Sequence, residues 1–114
     1  QYISAKHPFD LVLLGIGEEG HTASVFPNSP LLKENKRWIK DIWVPEKNSH
    51  RISFTMPFIN KARNVAFLVS GNAKAGIITN IFSGKYPDLP AARVSAKENL
   101  YWFLDDAAAG APHA

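Results

Sequence analysis

The densest grouping of chemically capable residues is the run Gly15-Ile16-Gly17-Glu18-Glu19-Gly20-His21. Glycines at this spacing let the backbone turn tightly and come close to a ligand. The run follows Phe9-Asp10-Leu11-Val12-Leu13-Leu14, a short apolar stretch that predicts a strand buried on both faces of a parallel sheet. Ligands of open α/β sheets bind at the carboxyl ends of such strands. A helical turn over 22–26 would aim free N–H groups into the same space, which suits a phosphate or a developing oxyanion. His21 then stands where an imidazole serves as a general base. An ordinary strand-to-helix turn uses the same glycine spacing, and a lone histidine is commonly structural, so spacing leaves those readings open beside the catalytic one.

Two cations are placed to serve the same edge. Lys74 follows the apolar run Asn64–Ser70 and stands near the start of a helical stretch, where it could pair with a phosphate. Arg51 opens another strand pattern after a loop and could clamp an anion. A solvated lysine and a rim arginine are the plainer alternatives. The glycine spacing also matches a dinucleotide fingerprint, but Pro27 and Pro30 cut the long helix which that site requires. Ser24 lacks a nucleophile-elbow pattern and a histidine–carboxylate partner at a recognisable spacing, which argues against a serine hydrolase. The chain has no cysteine, and no His/His or His/Glu pair has ligand spacing, so no metal site is expected. His7, His50 and His113 are assigned no role. Trp38, Trp43 and Trp102 lie in apolar strand patterns and read as core.

The elements that must hold these groups are legible from periodicity. Strands are predicted over 38–44, 51–56, 64–70 and 100–104. The segment 51–56 alternates as a half-buried strand does. A brief helix over 31–37, a short helix from Pro57 over 58–63 and a longer one over 73–82 complete the set. The last has Ile77, Ile78, Ile81 and Phe82 on a helical period and stops at Ser83-Gly84. Segments 45–50 and 86–94 read as loops. Asp105-Asp106 is placed to favour the start of an alanine-rich turn over 107–109, and 110–114 reads as a frayed tail. Alternating strands and helices predict an α/β class with a largely parallel sheet.

Composition narrows the partners. The 114 residues carry 46% hydrophobic and 20% charged side chains, as a globular chain does. No apolar run reaches the length of a membrane span. The net charge of +3 comes from scattered basic residues. That pattern excludes a nucleic-acid patch and favours a small anionic substrate. The absence of cysteine fits a reducing compartment, and no signal peptide is evident. The chain opens at Gln1, which reads as a processed chain or the later part of a longer one.

From Asp10 through the glycine loop to Thr22-Ala23-Ser24-Val25-Phe26-Pro27, the sequence resembles the 6-phosphogluconolactonase family. The resemblance continues through 51–63, Gly71-Asn72-Ala73-Lys74, Leu89-Pro90-Ala91 and Trp102-Phe103-Leu104-Asp105. It implies a Rossmann-like sheet flanked by helices, as in the C-terminal part of the sugar-phosphate isomerase/deaminase fold. It implies hydrolysis of 6-phosphoglucono-1,5-lactone in the oxidative pentose phosphate pathway, with His21 as general base. Gly17, Glu19, Gly20, Arg51 and Lys74 would bind substrate. The implied partner is a small phosphorylated sugar lactone, with no nucleic acid, membrane, metal or organic cofactor, in the cytoplasm. The family usually has Asp before the Gly-His pair, and here Glu19 is one methylene longer. The family's N-terminal half, with its glycine-rich phosphate loop, finds no match, so residues 1–114 read as a single α/β domain forming the C-terminal portion of a longer one. Glucosamine-6-phosphate deaminase shares the glycine loop but continues toward Phe-Asn-Glu-Pro. That enzyme, and a non-catalytic sugar-phosphate-binding module, are the competing expectations.

Overall fold

In a computed structural model of the protein, residues 8–110 are described. His7, His113 and most of the segment expected to fray lie outside them. The chain runs through β1 (Leu11–Leu14), β2 (Ile39–Val44), β3 (Ser49–Phe54), α1 (Met56–Ile59), β4 (Asn64–Val69), α2 (Ala75–Ser83) and β5 (Asn99–Leu104). Short 3-10 turns lie at Pro30–Lys33, Pro45–Lys47, Asn72–Lys74 and Pro90–Arg93. Strands β1, β4 and β5 form a parallel sheet in that order, and β2 pairs with β3 in a separate antiparallel hairpin. The class is therefore α/β with a mostly parallel sheet, as expected.

The core lies on one side of the parallel sheet. Val12, Leu14, Val65, Phe67 and Val69 point into it and meet Ile16, Val25, Leu31, Met56, Ile59, Ile77, Ile78 and Ala108. Phe67 is fully buried and stacks on Trp102 with ring centroids 3.9 Å apart. Fully burying a side chain of this size contributes about 1.5–3 kcal/mol. The expectation that β1 is buried on both faces is corrected: Leu11 and Leu13 remain more than half exposed. A continuous apolar run shows that both faces suit burial, but not which layers are there to cover them.

Other boundaries shift for local reasons. Residues 22–26 form no helix. Thr22 and Val25 exchange backbone hydrogen bonds across a tight turn, with Ala23 at φ 51°. The alternation of 51–56 buries the opposite face from the one expected: Ser53 and Thr55 are buried, while Ile52 is 79% exposed. Trp43 is likewise 48% exposed, whereas Trp38 stacks on Phe58 and Trp102 on Phe67. The brief helix expected over 31–37 is the 3-10 turn at Pro30–Lys33. The long helix is preceded by a 3-10 turn at Asn72–Lys74 and ends at Gly84, whose φ of 72° needs a residue without Cβ. Asp105 closes a turn by accepting from the Ala108 N–H at 2.8 Å.

Thr55 ties the hairpin to α1. Its buried hydroxyl donates to the Arg37 carbonyl at 2.6 Å and accepts from the Phe58 N–H at 3.4 Å. Thr55→Val should cost about 1–3 kcal/mol, since it strands buried partners. The readout is a lower urea midpoint with an unchanged slope. Glu34 braces the entry to β2. Its carboxylate accepts from the backbone N–H groups of Arg37 and Lys36 and pairs with Lys40, which holds its pKa down to about 2 from 4.5. The folded value lies below the unfolded one, so this stabilisation is present above about pH 4.5 and is lost as the pH falls toward 2. Glu34→Gln should flatten that part of the acid limb of a stability–pH curve.

Candidate active site

The glycine loop is a closed backbone knot at the carboxyl end of β1. The Gly17 N–H donates to the His21 carbonyl at 2.9 Å, and the Gly20 N–H to the Gly17 carbonyl at 2.9 Å. The Thr22 hydroxyl, buried, donates to the Gly15 carbonyl at 2.9 Å. From the other side, the Ala91 N–H donates to the Gly20 carbonyl at 3.0 Å. Gly20 has φ 93°, and a Cβ there would stand 3.1 Å from Leu89 Cδ2. Both backbone and space therefore require glycine at 20.

Gly17 is required for a different reason. Its backbone is not left-handed, but a Cβ there would overlap the imidazole of His21, at Nδ1 and Cε1. The ring thus lies directly over Gly17. Its face stacks on Phe26, with centroids 4.1 Å apart and planes 20° from parallel. Its Nδ1 hydrogen-bonds the Glu19 carboxylate. When Nδ1 carries the proton, it donates to that carboxylate and Nε2 keeps its lone pair as an acceptor. No partner engages Nε2 among the described residues, and the His21 side chain is 25% exposed, so water and a ligand can reach it.

Glu19 is held as an anion. Partial burial raises its pKa. The hydrogen bond from His21, one from its own N–H, and the charges of His21 and Lys47 together outweigh that and leave it below the ordinary value. The carboxylate one methylene longer than Asp thus still reaches the ring.

Lys74 comes to the same loop. The 3-10 turn ahead of α2 carries it over the sheet edge, where Nζ donates to the Ile16 carbonyl at 2.6 Å. An ammonium has three donors, so two remain for a ligand. Arg51 is not brought in. It stands exposed on β3 with its Nε donating to Ser49 Oγ at 3.2 Å, and no contact joins it to His21 or Lys74 among the described residues. The hairpin's link to the loop is Ser53, whose hydroxyl accepts from the Ser24 N–H at 3.0 Å. Two clefts, of about 380 and 410 Å³, lie beyond Phe26 and Pro27, and neither is lined by His21, Glu19 or Lys74. His21 opens to solvent instead.

Phe26, Thr22 and Lys47 were not singled out in the sequence. An aromatic residue five places after the histidine was a usable signal for Phe26. Nothing in the loop Pro45–Asn48 marks Lys47, since its influence on Glu19 depends on where the hairpin folds. No group of three or more His, Asp or Glu side chains could hold a metal ion among the described residues.

The profile of the family described as "Glucosamine-6-phosphate isomerases/6-phosphogluconolactonase" matches residues 1–102. The chain is 41% identical over 103 residues to a Rattus norvegicus protein named 6-phosphogluconolactonase, covering 89% of this chain and 40% of that one. It is 45% identical over 100 residues to the Arabidopsis thaliana protein named 6-phosphogluconolactonase 3, chloroplastic, covering 85% of this chain and 30% of the relative. It also superimposes on the solved 6-phosphogluconolactonase from Trypanosoma brucei with a TM-score of 0.76 at 32% identity, covering 90% of this chain and 41% of that one. The chain therefore spans less than half the length of the relatives it matches.

Gly17→Ala tests the geometry of the loop. The methyl should expel the His21 ring and break its hydrogen bond to Glu19, while secondary structure is kept because φ at 17 suits alanine. Nitrogen chemical shifts of the imidazole would report the lost bond. Unchanged ring shifts would show that the ring does not lie over position 17.

Proposed function

The chain belongs to the glucosamine-6-phosphate isomerase/6-phosphogluconolactonase family, and from that premise we propose that it carries the general-base loop of an enzyme hydrolysing 6-phosphoglucono-1,5-lactone to 6-phosphogluconate. The reaction is a step of the oxidative pentose phosphate pathway, and cytoplasmic operation is part of the reading. No helix among the described residues is long and apolar enough to cross a membrane. The 114 residues form one α/β unit within a longer lactonase domain, of which they are the C-terminal portion. The observation that carries the reading is the pairing of His21 Nδ1 with Glu19, on a loop that Lys74 also reaches through the Ile16 carbonyl.

The chemistry follows from that pairing. His21 Nε2 takes a proton from water as the water oxygen attacks the lactone carbonyl. The resulting imidazolium is stabilised by the Glu19 carboxylate. The tetrahedral intermediate collapses with cleavage of the ring C–O bond, and Nε2 returns its proton to the leaving ring oxygen. The products are a free hydroxyl and a carboxylic acid, which ionises. Gly17 and Gly20 let the loop backbone lie close to the sugar. Lys74 offers its two remaining donors to the phosphate or to hydroxyls. Arg51, exposed on β3 and apart from Lys74, would meet the substrate from the solvent side, and Lys47 adds a cation near Glu19. A developing oxyanion finds no helix N-terminus at 22–26, so its stabilisation falls to Lys74 and loop N–H groups. The run Thr22–Pro27 favours the lactonase over the deaminase.

The test is hydrolysis of the lactone above its spontaneous rate. His21→Ala should reduce kcat/KM on the order of 10²-fold or more. Lys74→Met should raise KM for the phosphorylated lactone and also lower kcat, since Lys74 serves both the phosphate and the oxyanion. Equal rates for wild type and His21→Ala would remove the histidine from the mechanism, and ammonia release from glucosamine 6-phosphate would transfer the protein to the deaminase reaction.

A further inference from the structure

The chain between His21 and Phe26 makes the two neighbours. Thr22 and Val25 exchange backbone hydrogen bonds at 3.3 and 3.0 Å as an isolated antiparallel bridge. Positions 21 and 26 are the next pair outward from that bridge, where side chains on one face meet. Phe26 is also fixed on its far side. Its carbonyl accepts from the Ser29 N–H at 3.0 Å, and Pro27 and Asn28, the latter at φ 63°, form the corners of that turn. Proline suits the first corner by its fixed φ, and asparagine the second by tolerating the left-handed region. The result is a near-parallel stack, with ring centroids 4.1 Å apart and planes 20° from parallel. Phe26 is 5% exposed, so the stack excludes water on its Phe26 side.

Such a stack treats the two states of the imidazole differently. The face of a benzene ring carries partial negative charge. A cation within about 6 Å of the ring centroid is attracted to that face, and more strongly where water is excluded. A neutral imidazole brings no net charge for the face to attract. Phe26 therefore favours the imidazolium, the form His21 takes when it accepts a proton. Charged groups act on the ring as well. Glu19 from its own loop bonds Nδ1, Lys74 from ahead of α2 bonds the Ile16 carbonyl, and Lys47 from the hairpin turn acts on Glu19. Glu19 favours the cation, and the two lysines oppose it. Phe26 adds to Glu19 from a different direction, through the face of the ring instead of its edge.

We propose that Phe26 is a positioning residue with an electrostatic function: its π face stabilises the protonated ring of His21 and so strengthens the histidine as a base. The consequence for turnover rests on the reading of His21 as general base, whereas the effect on the ring itself does not. Packing alone would be served by any apolar side chain that fills the same space. The electrostatic function requires an aromatic ring, and one rich in electrons. Phe26 also lines the cleft of about 380 Å³ with Pro27, Pro30 and Trp43, so part of its surface borders open space and small substituents on the ring can be accommodated.

The experiment replaces Phe26, in the full-length protein, by a series of increasingly fluorinated phenylalanines, which keep the shape and drain charge from the π face. Nuclear magnetic resonance follows the His21 ring as the pH is varied. A weaker π face leaves the imidazolium less stable, so the ring gives up its proton at lower pH. The midpoint should fall stepwise, by about half a pH unit across the series. Phe58, buried and stacked on Trp38, is the control, and fluorinating it should leave the midpoint in place. Thermal unfolding checks that each variant folds. Phe26→Leu is the second probe, with a shift at least as large as that of the most fluorinated ring. A midpoint indifferent to fluorination would overturn the proposal. A shift in Phe26→Leu alone would overturn it too, by assigning the residue to packing. The acid limb of kcat/KM for the lactone should move by the same amount as the midpoint. Should the midpoint move while the acid limb stays, the reading of His21 as general base fails and the action of Phe26 on the ring stands.

Discussion

The imidazole of His21 occupies the space that any side chain at position 17 would fill. Everything else about the loop follows from that single steric condition. With the ring folded back over Gly17, one face meets Phe26 and Nδ1 meets Glu19. The backbone bonds between 17 and 21, and between 17 and 20, close the loop and fix the Cα of His21 relative to Gly17. A catalytic group must be held near its productive geometry by neighbours that are themselves held. Here those neighbours are the buried Phe26 and the Thr22 hydroxyl bond to Gly15.

The loop is braced from distant parts of the chain. Lys74 reaches it from ahead of α2, Ala91 from the 3-10 turn at Pro90–Arg93, and Ser53 reaches the adjoining Ser24 from β3. These contacts span up to seventy or so positions of sequence and converge on fewer than ten residues. The role of Lys74 is therefore double. It positions the loop through the Ile16 carbonyl and brings a charge to the loop that carries the histidine. Glu19 brings its carboxylate to Nδ1 within the same arrangement.

The one-sided sheet explains several features that look anomalous in isolation. Small domains bury a modest fraction of their surface, and this one leaves five large apolar side chains of the parallel sheet exposed on a single face. Their strands read as continuous apolar runs because both faces of a parallel sheet are ordinarily buried. The half of that burial seen here is supplied by Phe67, Val65 and their partners.

Local chemistry made much of the protein legible from its residues. The apolar runs mark β1, β4 and β5, the helical period marks α2, and Gly84 marks its end, because periodicity and backbone freedom are properties of short segments. The glycine–histidine run and Lys74 carried enough chemistry to be singled out, and both stand at the same sheet edge. What depended on distant parts of the chain could not be read this way. The alternation of 51–56 does not say whether a layer exists to cover Ile52. The turn at Thr22–Val25 replaced a short helix because its two residues bond each other and Thr22 also bonds Gly15. Arg51 had the right charge in a suggestive position, and only the hairpin decides that it stands exposed with Nε on Ser49. Lys47, with no local mark, comes within electrostatic reach of Glu19. Burial and charge proximity are set by which surfaces meet, and that is decided only when the chain has folded.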